Sequence, residues 1–101
     1  MGSGGGPAQD EGRTVCKRVR YSGRVQGVGF RYTAQQIASA FPVAGYVRNL
    51  SNGDVELVAQ GSASQVAAFL EALVRRMASY IEESKDREEP CGGYQGFSIR
   101  H

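Results

Sequence analysis

The chain has 101 residues, enough for one domain with one core. Its 41% hydrophobic content is ordinary for a small soluble fold, and 12 basic against 10 acidic side chains give a net charge of +2, short of a nucleic-acid-binding signature. Apolar runs are only a few residues long and the N-terminus lacks a basic region followed by an apolar stretch, so neither a membrane span nor a signal peptide is expected.

The cysteines, Cys16 and Cys91, are far apart and form no CxxC pair, and the one histidine, His101, is the last residue. A structural zinc site therefore lacks its usual ligands, and no cofactor is expected. A Cys16–Cys91 disulfide is the lesser reading. With no export signal the default is a cytoplasmic chain with two free thiols.

Residues 1–13 show no hydrophobic periodicity and are rich in Gly, with Ser and Pro, which predicts a flexible tail outside a domain spanning 14–101. Residues 14–22 alternate. Val15, Val19 and Tyr21 share one face with Lys17, while Cys16, Arg18 and Arg20 share the other, as in a strand with one wet face. Residues 30–41 carry Ala34, Ile37, Ala38 and Phe41 at helical spacing, and Pro42 ends that helix. Residues 43–50 and 54–60 are β-rich runs around Ser51-Asn52-Gly53, and Asn-Gly predicts a hairpin because both residues tolerate positive φ. A second helix opens near Gly61, with Ser62 and Gln65 at capping-box spacing and a stripe of Val66, Phe69, Leu70, Leu73 and Met77. Residues 79–84 form a weaker strand, 85–93 a charged loop, and Phe97 and Ile99 mark a short last strand.

Two amphipathic helices need one common apolar surface, which a sheet with one covered and one wet face supplies. The expected fold is α+β, a ferredoxin-like split βαβ sandwich with a mostly antiparallel sheet and both helices on one face. Arg18 and Arg20 then belong to the open face.

Between the first strand and first helix lie Gly23, Gly27 and Gly29, with Arg31 in the helix's first turn. Glycine-rich backbone can turn several N–H groups to one point, and a helix N-terminus adds partial positive charge. The segment fits neither a Walker A loop nor G-x-G-x-x-G. A glycine-rich strand-to-helix turn is by itself more often structural than ligand-binding, and Arg24 and Arg31 within this short segment raise the phosphate cradle to equal standing. The plain reading of Arg31 is a solvated helix-face arginine; against it, a cation in the first turn opposes the helix dipole, and its planar five-donor group suits a phosphoryl anion. Asn49 precedes the hairpin turn, where Asn is common; its amide can also donate and accept at once, which suits holding a water molecule. The late carboxylates Glu82, Glu83, Asp86, Glu88 and Glu89 alternate with cations and read as solvated loop, with no pair set for acid–base work. The aromatics Tyr21, Phe30, Tyr46, Phe69 and Phe97 read as core and sheet.

Gly23-Arg24-Val25-Gln26-Gly27-Val28-Gly29-Phe30-Arg31 resembles the first signature of the acylphosphatases. Gly45-Tyr46-Val47-Arg48-Asn49, followed by Gly53, Val55 and Gly61, resembles their second, and together the likeness spans about residues 15–100. The resemblance implies a ferredoxin-like sandwich and metal-free hydrolysis of small acyl phosphates to carboxylate and inorganic phosphate; a monomer is the default expectation. It places the phosphate-binding arginine at Arg31 and the water-positioning asparagine at Asn49. The phosphate-binding backbone falls on Gln26, Gly27, Val28, Gly29 and Phe30.

Two alternatives remain. One is the acylphosphatase-like module of a larger, carbamoyl-phosphate-using maturation protein; against it, no proline soon follows Arg31 and no zinc-binding cysteines lie downstream. The other is a non-catalytic phosphate- or RNA-binding module of the same fold. The first strand's open-face residues, Cys16, Arg18 and Arg20, offer charge without stacking surface, so no nucleic-acid partner is expected.

Overall fold

β1 (Thr14–Gly23) pairs antiparallel with β3 (Val55–Ser62) on one side and with β4 (Ile81–Glu89) on the other. β3 in turn pairs antiparallel with β2 (Ala44–Asn49), and β2 pairs parallel with β5 (Phe97–Arg100), giving the order β4-β1-β3-β2-β5. Helices α1 (Phe30–Ala38) and α2 (Ala63–Met77) complete the chain. The computed structural model describes residues 12–101. Both helices pack on one face, so the α+β ferredoxin-like sandwich expected from periodicity is the fold observed.

The alternation of β1 explains the layering. Val15, Val19 and Tyr21 point to the helices and join Val47, Val55, Leu57 and Ala59 from the neighbouring strands. Against them α1 sets Phe30, Ala34 and Ala38, and α2 sets Val66, Phe69, Leu73 and Met77. The Tyr21 and Phe30 rings meet at 5.1 Å, which ties the end of β1 to the start of α1. Full burial of side chains of this size contributes about 1.5–3 kcal/mol each. Burial also pushes the Tyr21 hydroxyl well above its ordinary pKa, so it stays neutral.

The open face holds a small second cluster, Cys16, Tyr46 and Val58, covered by Tyr94. Around it runs an ionic network. Arg18 grips Glu89 with two nitrogens at 2.8 and 2.9 Å and reaches Glu56 at 2.7 Å, while Arg48 takes the other Glu56 oxygen at 2.7 Å. The Arg18 hydrogen bond holds Glu89 below the usual carboxylate range. Burial alone would raise Glu56, but hydrogen bonds from Arg48 and Arg18 outweigh it and the net shift is downward. Cys16 and Cys91 are free thiols, and burial pushes the Cys16 thiol up.

Three sequence expectations change. The charged stretch predicted as a loop over 85–93 is mostly strand, since β4 runs to Glu89. β4 forms through its backbone ladder to β1 and through ion pairs, with almost no buried side chain, so hydrophobic alternation had nothing to report. Glu89 is accordingly a partner of Arg18 and no solvated-loop carboxylate. The first helix stops at Ala38, where Ser39, Ala40 and Phe41 tighten into turns before Pro42. In the hairpin only Gly53 takes positive φ, at 96°, because Ser51 and Asn52 form a turn closed by Gly53 N–H donating to the Leu50 carbonyl at 3.2 Å. Asn52 instead accepts from the Asp54 N–H at 3.0 Å through its side chain. Ser62 caps α2 as its spacing predicted, accepting from Gln65 N–H at 3.3 Å.

Of the predicted tail, residues 1–11 lie outside the described residues. The Arg13 carbonyl accepts from Ala63 N–H at 2.7 Å, and its guanidinium meets Glu88 at 2.8 Å.

Candidate active site

β1, β2 and β5 run in one direction and end at the same edge of the sheet. Tyr21 of β1 and Asn49 of β2 flank Val55 from its two sides, and Arg100 of β5 lies beside Arg48. The loop after β1 and the N-terminus of α1 therefore meet the end of β2 at this edge.

The loop has the shape its glycines suggested. Gly27 and Gly29 sit at φ 78° and 79°, a conformation that side-chain-bearing residues avoid, and a Cβ on either would point into open space. Conformation and not crowding thus requires glycine there. Gly29 is the N-cap of α1 and offers no side chain to the first turn. Among the described residues, the N–H groups of Gln26, Gly27, Val28 and Gly29 have no main-chain acceptor, and that of Phe30 belongs to the first turn, where helices leave donors open. Val25 and Phe30 are buried at either end and anchor the loop to the core.

The Gln26 side chain points away from the loop's open side. Its amide donates to the carbonyls of Leu50 and Asp54, both at 2.8 Å, which close the β2–β3 hairpin. This one side chain joins the loop to the segment that carries Asn49. Asn49 follows buried Val47 by two residues, so its side chain lies on the helix side of the sheet, half-buried. Among the described residues its carboxamide has no hydrogen-bond partner.

Arg31 is half-buried in the first turn of α1, and no acidic residue stands in that turn. Its Nη1 lies 3.4 Å from Nδ1 of His101, just beyond β5. The structure thus brings the loop, Arg31 and Asn49 to one sheet edge. It adds two groups that sequence reasoning did not single out: the Gln26 side chain, considered there only for its backbone, and His101, set aside as a lone terminal histidine. Only the position of Gln26 within the first signature hinted at either. No group of three or more His, Cys, Asp or Glu side chains is gathered for a metal ion among the described residues.

The arrangement can hold a tetrahedral dianion by several amide donors and one fixed cation, with an uncommitted amide side chain nearby. Its residues match known proteins in the same terms. The acylphosphatase family model matches residues 17–99. The acylphosphatase of Methanothrix thermoacetophila is 39% identical over 87 residues, 85% of this chain and 97% of that one. The crystal structure of acylphosphatase from Bacillus subtilis superimposes with a TM-score of 0.78 at 32% identity, covering 86% of this chain and 99% of that one. T. kodakarensis HypF superimposes with a TM-score of 0.75 at 28% identity over 87% of this chain, but over 12% of its own length. The signatures, the fold and the match over nearly the whole domain agree, and the chain belongs to the acylphosphatase family.

Proposed function

We propose that the protein hydrolyses small acyl phosphates to a carboxylate and inorganic phosphate without a metal ion. The observation that carries this reading is the set of open N–H groups from Gln26 to Phe30, placed with Arg31 at the edge where Asn49 keeps an unpartnered amide. The loop amides and Arg31 bind the phosphoryl oxygens and stabilise the charge that spreads over them during transfer. Asn49 holds the attacking water in line with the scissile bond. Water oxygen bonds to phosphorus, the bond from phosphorus to the acyl oxygen breaks, and the carboxylate leaves with the electron pair. The water proton passes to a phosphoryl oxygen. A mixed anhydride has a good leaving group, so positioning and charge stabilisation suffice and no strong general base is required.

The open face favours the enzymatic reading over a nucleic-acid platform. Tyr46 is only 5% exposed, is covered by Tyr94 and has the Arg100 guanidinium 3.8 Å from its ring centre. Among the described residues the outer ring of this cluster is half-buried Tyr94, a single ring where base-stacking sheets present several.

The test is hydrolysis of benzoyl phosphate in excess EDTA. The parent is expected to turn over under these conditions. Arg31→Ala should lose about 10²–10³ in rate. Arg31→Lys should recover little, since a point charge does not reproduce the planar fork. Activity that requires added Mg²⁺ or Zn²⁺, or a fully active Lys variant, would overturn the scheme.

A further inference from the structure

We propose that the open face of the sheet, where β1 meets β4, binds a short inorganic oligophosphate, a chain of two or three linked phosphates. The site lies on the face away from the helices and is independent of the hydrolysis proposed above. β1 and β4 set like charges directly opposite each other twice in succession: Arg18 faces Arg87, and Arg20 faces Lys85. Opposed like charges weaken a sheet. Acids stand on the same strand, yet Asp86 and Glu88 alternate to the helix side. There Lys17 meets Asp86 at 3.9 Å and Arg13 meets Glu88 at 2.8 Å.

The four cations line a recess of about 300 Å³ together with Glu56 and Asp86. The acids of this face leave three of the cations weakly paired. Glu56 and Glu89 are held at hydrogen-bond distance by Arg18 and Arg48. Arg20 Nε stands 4.0 Å from Asp54, Lys85 Nζ 4.0 Å from Glu83, and Arg87 Nε 3.9 Å from Glu89. None of these three side chains makes a hydrogen bond among the described residues. They are 57%, 76% and 73% exposed, so each can turn onto a ligand at the loss of one weak surface contact.

Spacing and lining name the ligand. The two opposed pairs are two residues apart along the strands, about 7 Å. A single phosphate engages one pair, whereas a linked chain engages both and replaces the repulsion within each by attraction. The guanidinium forks of Arg20 and Arg87 match phosphate oxygens, and Lys85 adds a point charge. Among the described residues no aromatic or aliphatic residue lines the recess, so a nucleoside or acyl group finds no surface there. The bare phosphate chain is therefore the occupant.

The experiment titrates sodium triphosphate into the isotope-labelled parent, Lys85→Gln, Arg87→Gln and the double variant, followed by backbone amide NMR shifts. Circular dichroism checks that all four are folded. In the parent, the amides of residues 18–20 and 85–87 should move saturably. Each single variant should bind about three- to tenfold more weakly, and the double variant more weakly still, as expected for lost charge-assisted contacts. All variants should keep the parent's kcat/KM for benzoyl phosphate, because neither side chain belongs to the proposed active site. ATP should bind no more tightly than triphosphate. Shifts confined to residues 26–31, undiminished affinity in the double variant, or loss of hydrolysis together with binding would overturn the site. Tighter binding of ATP would overturn its assignment to a bare phosphate chain.

Discussion

Gln26→Leu tests how the loop is held against the hairpin. The substitution keeps most of the side chain's volume and deletes an amide that donates to Leu50 O and Asp54 O, both at 2.8 Å. Neither carbonyl becomes an orphan. Leu50 O still accepts from Gly53 N–H at 3.2 Å, and Asp54 O from Leu50 N–H at 2.8 Å. The cost is then the net value of two hydrogen bonds, about 0.5–1.5 kcal/mol each, or about 1–3 kcal/mol together. For a domain of this size each kcal/mol lowers Tm by roughly 4–8 °C. Urea unfolding followed by circular dichroism should show a lower midpoint with an unchanged slope. Activity should suffer more than stability, because displacement of the loop by about 1 Å relative to Asn49 can cost about 10²-fold in rate. A Leu variant as stable and as active as the parent would refute the role given to this side chain. A loss well above 4 kcal/mol would instead show that the two carbonyls are left unsatisfied.

Asn49→Ala should lower kcat sharply and leave phosphate affinity nearly intact, as read by product inhibition; loss of phosphate binding with kcat unchanged would make Asn49 a binding residue. Asn49→Asp should be impaired as well, since it sets a negative charge near an anionic substrate and removes a donor; full activity there would call for a general-base mechanism. Inorganic phosphate should inhibit competitively and raise Tm by binding the folded state, and uncompetitive inhibition without a thermal shift would make the loop merely structural. The lowered native pKa values of Glu89 and Glu56 have a definite sign. Their contribution to stability is complete above the ordinary Glu value of about 4.3 and is lost as pH falls from there through the lowered native values. Glu89→Gln should therefore flatten the acid limb of stability against pH, and an unchanged acid limb would remove the Arg18–Glu89 pair from acid unfolding.

What could be read in advance follows from where side chains meet the core. β1 alternates because one face lies under helices, and α2 shows its stripe because Val66, Phe69, Leu73 and Met77 all pack inward. The loop was legible because Gly27 and Gly29 are demanded by backbone conformation, which leaves a compositional trace. β4 left no such trace. Its strand state comes from pairing with β1, a partner about 70 residues away, and its side chains face water. The Gln26 contacts were hidden for a related reason. An amide names no acceptor in advance, and its two carbonyl targets are set by a hairpin that must form first. His101 has meaning only through the parallel pairing of β5 with β2, which no local pattern announces.

The exposed strand β4 also shapes how this molecule meets other copies of itself. It ends the sheet, and its outer row of N–H and C=O groups faces solvent, the kind of template on which sheets of separate molecules join. Its sequence, Ile-Glu-Glu-Ser-Lys-Asp-Arg-Glu-Glu, surrounds that row with charge of both signs and no β-branched residue after the first. An incoming strand would have to desolvate these charges without gaining apolar contact. The composition that hid β4 from hydrophobic periodicity thus protects the sheet against edge-to-edge growth into aggregates.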